Sequence, residues 1–241
     1  MTALRQSMIL NDQVEDVSLP VGQARLAARW VIPSLARGLV ICAHEGSKED
    51  HGLRLRQLTG SLNDAGLATL QLNLLSPGES DGPSGFLDLR LLALRLRSVT
   101  TMTRTGFDWV GYLAGDVAAA AALEVAADRE TEIAAVAAFS GRLDFAGSLG
   151  AVRAPTLLVV GSGDPAAIRR NQQALGRLAG VHQMVIIPGA GHLLDESGTL
   201  ALAAGPIGTW LQTYGERSVG RTGAGTGEQQ VLRRLPEPAA T

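Results

Sequence analysis

The chain has 241 residues, 46% of them hydrophobic and 18% charged, a length that suits one large core better than two small domains. Its 21 Lys and Arg nearly cancel 23 Asp and Glu, giving a net charge of −2, which argues against a nucleic-acid binder held by a basic face. A single cysteine, Cys42, excludes an internal disulfide framework and a cysteine-rich zinc site.

Residues 1–20 lack the positive-then-apolar pattern of a signal peptide. The longest apolar run, residues 117–123, falls far short of the roughly 20 residues that span a bilayer. A cytoplasmic protein with no membrane partner is expected. In chain order, residues 14–19 and 24–32 read as opening strands joined by Pro20-Val21-Gly22. Residues 38–43 (GLVICA) are continuously apolar, as in a central strand buried on both faces. A helix over residues 51–65 follows, with Leu53, Leu58 and Leu62 near one side, and then a strand over residues 68–74. Residues 76–85 (SPGESDGPSG) form a loop by composition. Leucines at helical spacing over residues 87–103 are interleaved with Arg90, Arg95 and Arg97, which are expected on the wet side.

A strand over 107–113, an alanine-rich helix over 117–127, and strands over 132–139, 156–161 and 183–187 complete the sheet, with helices over 165–179 and 197–214. This alternation predicts an α/β fold: a mostly parallel central sheet of about seven or eight strands with helices on both faces. Residues 1–214 form the domain. From Gly215 to Thr241 glycine, threonine, arginine and proline dominate, and a disordered tail is expected.

Three short segments lie just after predicted strands, where open α/β sheets place their ligands: Ala114-Gly115-Asp116-Val117-Ala118, Gly161-Ser162-Gly163-Asp164-Pro165 and Gly189-Ala190-Gly191-His192. Small residues two before and two after a polar residue on a strand-to-helix turn are what a nucleophile elbow requires, because larger flanking side chains would collide with neighbouring elements. An acid after a later strand and a histidine after the last one complete the order nucleophile, acid, base.

On these residues, with VICAHEG (40–46), AGLATLQLNLLSPGE (65–79), GYLAGDVAAAAAL (111–123), APTLLVVGSGDP (154–165) and IPGAGH (187–192), the chain resembles the α/β-hydrolase superfamily, and within it the dienelactone hydrolases, from about residue 14 to 214. The resemblance implies a hydrolase of small esters or lactones without a substantial lid, using a cysteine or serine, an aspartate and a histidine. By position the aspartate is Asp164 and the histidine His192. The family's glutamate after the third strand matches Glu45, where it would face the resting nucleophile.

One position departs from that pattern. Asp116 stands where the family has cysteine or serine, and Ser140, which ends a strand and opens no long helix, does not replace it. A carboxylate attacking an ester carbonyl gives an anhydride and is expelled more readily than an alkoxide. At a saturated carbon it leaves an ordinary alkyl ester, as in the haloalkane dehalogenases and epoxide hydrolases of the superfamily. Against those groups, Val117 rather than tryptophan follows the aspartate, and about fifteen residues between Phe139 and Pro155 are too few for a helical cap. If Glu45 faces Asp116, like charges would raise one of the two pKa values.

Asp116 and Asp164 could also serve only as helix caps. The cluster His44, Glu45, Glu49, Asp50, His51 matches no zinc spacing and reads as a polar, helix-starting segment, and Cys42 reads as core. The expectation is a hydrolase of a small molecule, either ester- or lactone-like or an alkyl electrophile, with no cofactor and no metal. Asp116 would be nucleophile or acid, His192 base, Asp164 its orienting partner and Glu45 a modulator. The N–H groups of Val117 and Gly46 would bind an oxyanion, and the 76–85 loop would help line the pocket mouth. Two rivals remain: an inactive hydrolase-fold binding protein, and an isomerase or lyase working through the carboxylates. No nucleic-acid partner is expected, and the oligomeric state is open.

Overall fold

The computed structural model describes residues 13–46, 49–80 and 88–222. Eight strands form one sheet in the order β1-β2-β4-β3-β5-β6-β7-β8, where β1 is Gln13–Val21, β2 Ala24–Ile32, β3 Gly38–His44, β4 Ala68–Asn73, β5 Trp109–Gly115, β6 Val136–Phe139, β7 Thr156–Gly161 and β8 His182–Ile187. The opening hairpin β1–β2 joins β4 antiparallel, and every pair from β4 to β8 is parallel. This is the α/β-hydrolase architecture. The chain leaves β3 first toward β4 and later returns to β5 on its other side, so the order reverses at β3. A crevice at the carboxyl ends of β3 and β5 follows from that reversal.

Strand periodicity divides the core into two faces. In β3, Leu39, Ile41 and Ala43 point to one side, where they meet α3 (Leu89–Thr103) and α4 (Asp116–Ala126). Val40 and Cys42 point to the other, toward α1 (Glu49–Asp64) and α6 (Thr199–Thr222). Leu55, Leu58 and Leu62 form the buried stripe of α1; Leu53, expected on that stripe, lies outside the residues whose side chains are described. In α4, Ala118 to Ala122 are all fully buried, and their small side chains let the helix approach the sheet closely. The remaining helices are α2 (Pro77–Ser80) and α5 (Pro165–Leu175).

Several elements differ from their expected extent for identifiable reasons. β6 begins at Val136 because a 3-10 turn, Arg129–Thr131, and Glu132 at φ 49 occupy the preceding residues. β5 starts at Trp109 rather than at residue 107, and α5 stops at Leu175. Helix α6 does not end at Tyr214 but runs on to Thr222; residues 223–241 lie outside the described residues. Gly215 does not end the helix, because it is where α6 crosses Trp109, and a Cβ there would sit 2.4 Å from the indole. Residues 140–155 contain two 3-10 turns, Leu143–Phe145 and Leu149–Ala151, between β6 and β7. Among the described residues no helix is long and apolar enough to cross a membrane.

Arg95, expected on the wet face of α3, is instead 5% exposed. Its guanidinium donates to the Leu74 carbonyl at 2.8 Å and to both carboxylate oxygens of Glu79 at 2.7 and 2.8 Å. The stem lies along the core while the fork ties down the chain after β4, a use that suits arginine and not lysine. Arg95 holds the Glu79 carboxyl down at about 2, helped by the Ser76 N–H. Arg95→Leu should lower the unfolding free energy by about 2 kcal/mol in urea denaturation, because the buried Leu74 carbonyl loses its donor.

Candidate active site

Strand β5 ends in a sharp turn. Gly115 occupies the N-cap position of α4 in an extended conformation without a side-chain capping bond, and Asp116 opens the helix at φ 44. Gly115 is required there because a Cβ would meet the Phe139 ring at 2.6 Å. Ala114 and Ala118, two residues to either side of Asp116, are fully buried, so larger side chains would not fit. Asp116 is therefore not the helix cap, and among the described residues its carboxylate accepts no hydrogen bond. A non-glycine residue held in the left-handed region costs of order 1–3 kcal/mol, so its surroundings must hold it there.

Glu45 follows β3 and is 9% exposed. Its carboxyl oxygens accept from the N–H groups of Val117 at 2.7 Å and Ala118 at 2.9 Å, at the positive end of α4. Burial is the main cause that pushes its pKa up to about 8, with the charge of Asp116 adding to it and the two N–H bonds opposing it. The pair of carboxyls foreseen in the sequence is thus present, and the proton affinity of Glu45 is raised.

Asp164 caps α5 through the Ala167 N–H at 2.8 Å, and its other oxygen lies 2.7 Å from Nδ1 of His192. Burial pushes its carboxyl up, but the Ala167 N–H and the His192 ring outweigh this and leave it below the usual carboxylate range. Cap and histidine partner, two alternatives from the sequence, are both true of Asp164. The β7 turn and the histidine loop touch so closely that a Cβ on Gly161 would fall 2.2 Å from the Gly191 carbonyl.

Asp116, Glu45 and His192 line one cleft at the carboxyl ends of β3 and β5, together with His44, Ser140, Leu55, Phe139 and Leu193. It encloses about 40 Å3 of free space. Asp164 lies behind His192. Both N–H groups expected to bind an oxyanion are already engaged: that of Val117 by Glu45, and that of Gly46, at φ 109, by Asn73 Oδ1 at 3.4 Å. The Glu45 carboxyl takes the helix terminus where an anion would otherwise bind, and the Asn73 side chain takes the Gly46 N–H. Residues 76–80 of the expected mouth loop are not among the cleft's lining, and residues 81–87 lie outside the described ones. Among the described residues no group of three or more His, Cys, Asp or Glu could hold a metal ion.

Nothing in the sequence marked Phe139, Leu55 or Leu193 as lining residues, since each reads as ordinary core or loop. Ser140, set aside as a nucleophile, also lines the cleft, at φ 49. Its position just after a strand at the same sheet edge was the available signal.

No family model matches the chain. A solved structure of a dienelactone hydrolase from Anabaena variabilis is 37% identical, covers 84% of this chain and 98% of its own, and superposes with a TM-score of 0.78. Est1E from Butyrivibrio proteoclasticus, at 13% identity, shares the fold over 83% of this chain and 98% of its own, with a TM-score of 0.71. Among curated proteins, a Mycobacterium tuberculosis protein provisionally named a phosphoribosyl transferase is 39% identical over 202 residues, which is 82% of this chain and 46% of that protein. The chain thus spans about half the length of the curated relatives it matches. At 37% identity to a dienelactone hydrolase of which it covers 98%, the chain belongs to the dienelactone hydrolase family of the α/β-hydrolase fold.

Proposed function

We propose that the chain is a cofactor-independent hydrolase of a small molecule, acting on an alkyl electrophile or an ester- or lactone-like compound through Asp116, Asp164 and His192. The observation that carries this reading is the Asp116 carboxylate: it sits on a strained, non-capping residue and lines the same cleft as an imidazole already held by a carboxylate. A residue kept as an N-cap would bond the N–H groups of the first turn, and this one does not.

In this scheme Asp116 attacks a saturated carbon. The new C–O bond forms as the bond to the leaving group breaks, giving an alkyl ester of Asp116 and releasing the leaving group with its electron pair. His192 then takes a proton from water, and the hydroxide adds to the ester carbonyl. Collapse expels the alkoxide, which takes the proton of the imidazolium and leaves as the alcohol. The carboxyl group of Asp116 gives up its proton to solvent, which regenerates the carboxylate. Asp164 fixes the imidazole tautomer and stabilises the imidazolium. The oxyanion of the second step needs N–H donors, so Glu45 must yield those of Val117 or Ala118, or share its own proton, during turnover.

The occupied N–H groups favour a second reading, in which the chain binds a small molecule without turning it over. Glu45, protonated near neutrality beside Asp116, favours a third, proton transfer in an isomerase or lyase. Phosphoribosyl transfer, in the name of the mycobacterial relatives, would bring a pyrophosphate group. The described cleft residues offer two carboxyl groups and no Lys or Arg to receive it, and we do not extend that activity to this chain.

Intact-protein mass spectrometry separates the readings. After incubation with a panel of haloacids, epoxides and activated esters, His192→Ala should accumulate an adduct mapped to Asp116, since the second step then lacks its base, while the wild type turns over without one. If no panel member is either trapped or consumed, the hydrolase reading is lost, and the binding protein and the isomerase or lyase are left.

A further inference from the structure

Among the described residues five non-glycine positions hold a positive φ, and three of them, Asp116, Ser140 and Leu194, stand in or beside the cleft. Backbone of this kind persists only where its surroundings hold it. Asp116 belongs to the proposed chemistry and Leu194 is fully buried core. Ser140 has neither role.

Ser140 follows β6 directly and is 6% exposed. Its N–H donates to the Val159 carbonyl at 2.8 Å, and its hydroxyl donates to the backbone carbonyl of His192. The next residue, Gly141, accepts at its carbonyl from Asn171 Nδ2 at 3.2 Å. Asn171 stands on α5, the helix that Asp164 caps, and also donates to the Ala167 carbonyl at 2.9 Å. The third residue, Arg142, donates its N–H to the Asp116 carbonyl at 2.9 Å. Three consecutive residues thus hold, in turn, the histidine's loop, the acid's helix and the turn that carries Asp116.

Two further observations mark this as more than loop packing. Asn171 is 1% exposed and its Oδ1 accepts nothing among the described residues, an unfavourable burial that only its two donated bonds offset. The histidine loop has other anchors: Gly163 N–H to the Ala190 carbonyl, Gly189 N–H to Ser162 Oγ, and Gly191 N–H to Glu196 Oε1. These three stop at residue 191, and the next anchor, the Thr199 hydroxyl on the Leu194 carbonyl at 2.9 Å, lies two residues beyond His192. Among the described residues the Ser140 hydroxyl is the one group hydrogen-bonded to the backbone of His192 itself.

We propose that Ser140 is a positioning residue for His192: its hydroxyl fixes the main chain at residue 192, so that the imidazole stays on Asp164 with its remaining face toward the cleft. Its proton is committed to a carbonyl rather than to the imidazole, which is the arrangement of a brace and not of a nucleophile. The catalytic meaning of the brace rests on reading His192 as the base, but the positioning can be measured without any substrate.

The readout is the low-field proton resonance of the His192 Nδ1–H held by Asp164, identified by its loss in His192→Asn. Ser140→Ala removes the hydroxyl and keeps the backbone strain; Ser140→Gly removes the hydroxyl and relieves it, so the glycine variant is expected to fold even if the alanine one is weakened. In full-length protein both should exchange that proton with solvent about tenfold faster than wild type, in line with the loss of one hydrogen bond. Their far-UV spectra should stay native. Unchanged exchange in both variants overturns the proposal. So does a change in the alanine variant that glycine restores, which would assign the effect to strain, and so does a wild type that shows no such resonance. A wild type that keeps the resonance and the Ser140 dependence but consumes no electrophile counts against the hydrolase reading alone.

Discussion

Asp116→Gly should give a protein that unfolds later than wild type and has lost its turnover. Glycine adopts φ 44 freely, whereas aspartate is strained there, and relief of one such residue is worth about 1 kcal/mol. The substitution also removes the charge that helps raise the Glu45 pKa, which adds to the gain. Denaturant midpoints should therefore rise. Under the covalent scheme, consumption of any electrophile found to be a substrate should fall by at least about 10³-fold, the scale on which enzymes lose rate with their nucleophile. Opposite signs for stability and activity are the mark of a residue held for chemistry. An Asp116→Gly protein that is less stable than wild type would mean that the carboxylate is structural after all.

Glu45→Gln should reverse its effect on stability between acid and alkaline pH. In the folded chain the Glu45 carboxyl is raised from the ordinary 4.5 to about 8, so the folded state binds its proton more tightly than the unfolded state does. Stability contributed by this group is therefore fully present below about 4.5 and is lost as pH rises through about 8. At 1.36 kcal/mol per unit the loss across that window is at most about 5 kcal/mol, and roughly 3 kcal/mol is a reasonable expectation for urea denaturation between pH 5 and 9. Glutamine carries no charge and flattens the slope. Its amide nitrogen, however, faces one of the two N–H donors and costs about 1 kcal/mol at every pH. The variant should be less stable than wild type at pH 5 and more stable at pH 9. Parallel curves for the two proteins would show that Glu45 does not titrate in this range.

Much of the architecture was legible because β3, β5 and the α4 alanines carry their burial in their composition. The three post-strand segments were legible for the same reason: a strand's carboxyl end followed by glycine locates a residue at the sheet edge, whatever its role. Arg95 was not legible. Its place among leucines at helical spacing looks like an exposed face, and only the return of Glu79 from another segment makes its burial favourable. Glu45 was foreseen opposite Asp116, but not its grip on Val117 and Ala118, which depends on how β3 and α4 meet. Ser140 and Asn171 act through single bonds to main-chain carbonyls distant in sequence, and such bonds leave no periodic trace. The end of α6 was misread because glycine, threonine and arginine from residue 215 on have the composition of a tail, while Gly215 makes room for an indole inside the helix.

That same crossing has a practical consequence. Val219 and Gly220 near the end of α6 line a groove with Gly38 and Trp109, which begin β3 and β5, whereas the carboxylates stand where those two strands finish. The described end of α6 therefore lies at the opposite end of the strands from the candidate cleft. Anchored to a sensor surface by that end, the protein would present its opening to the bulk solution.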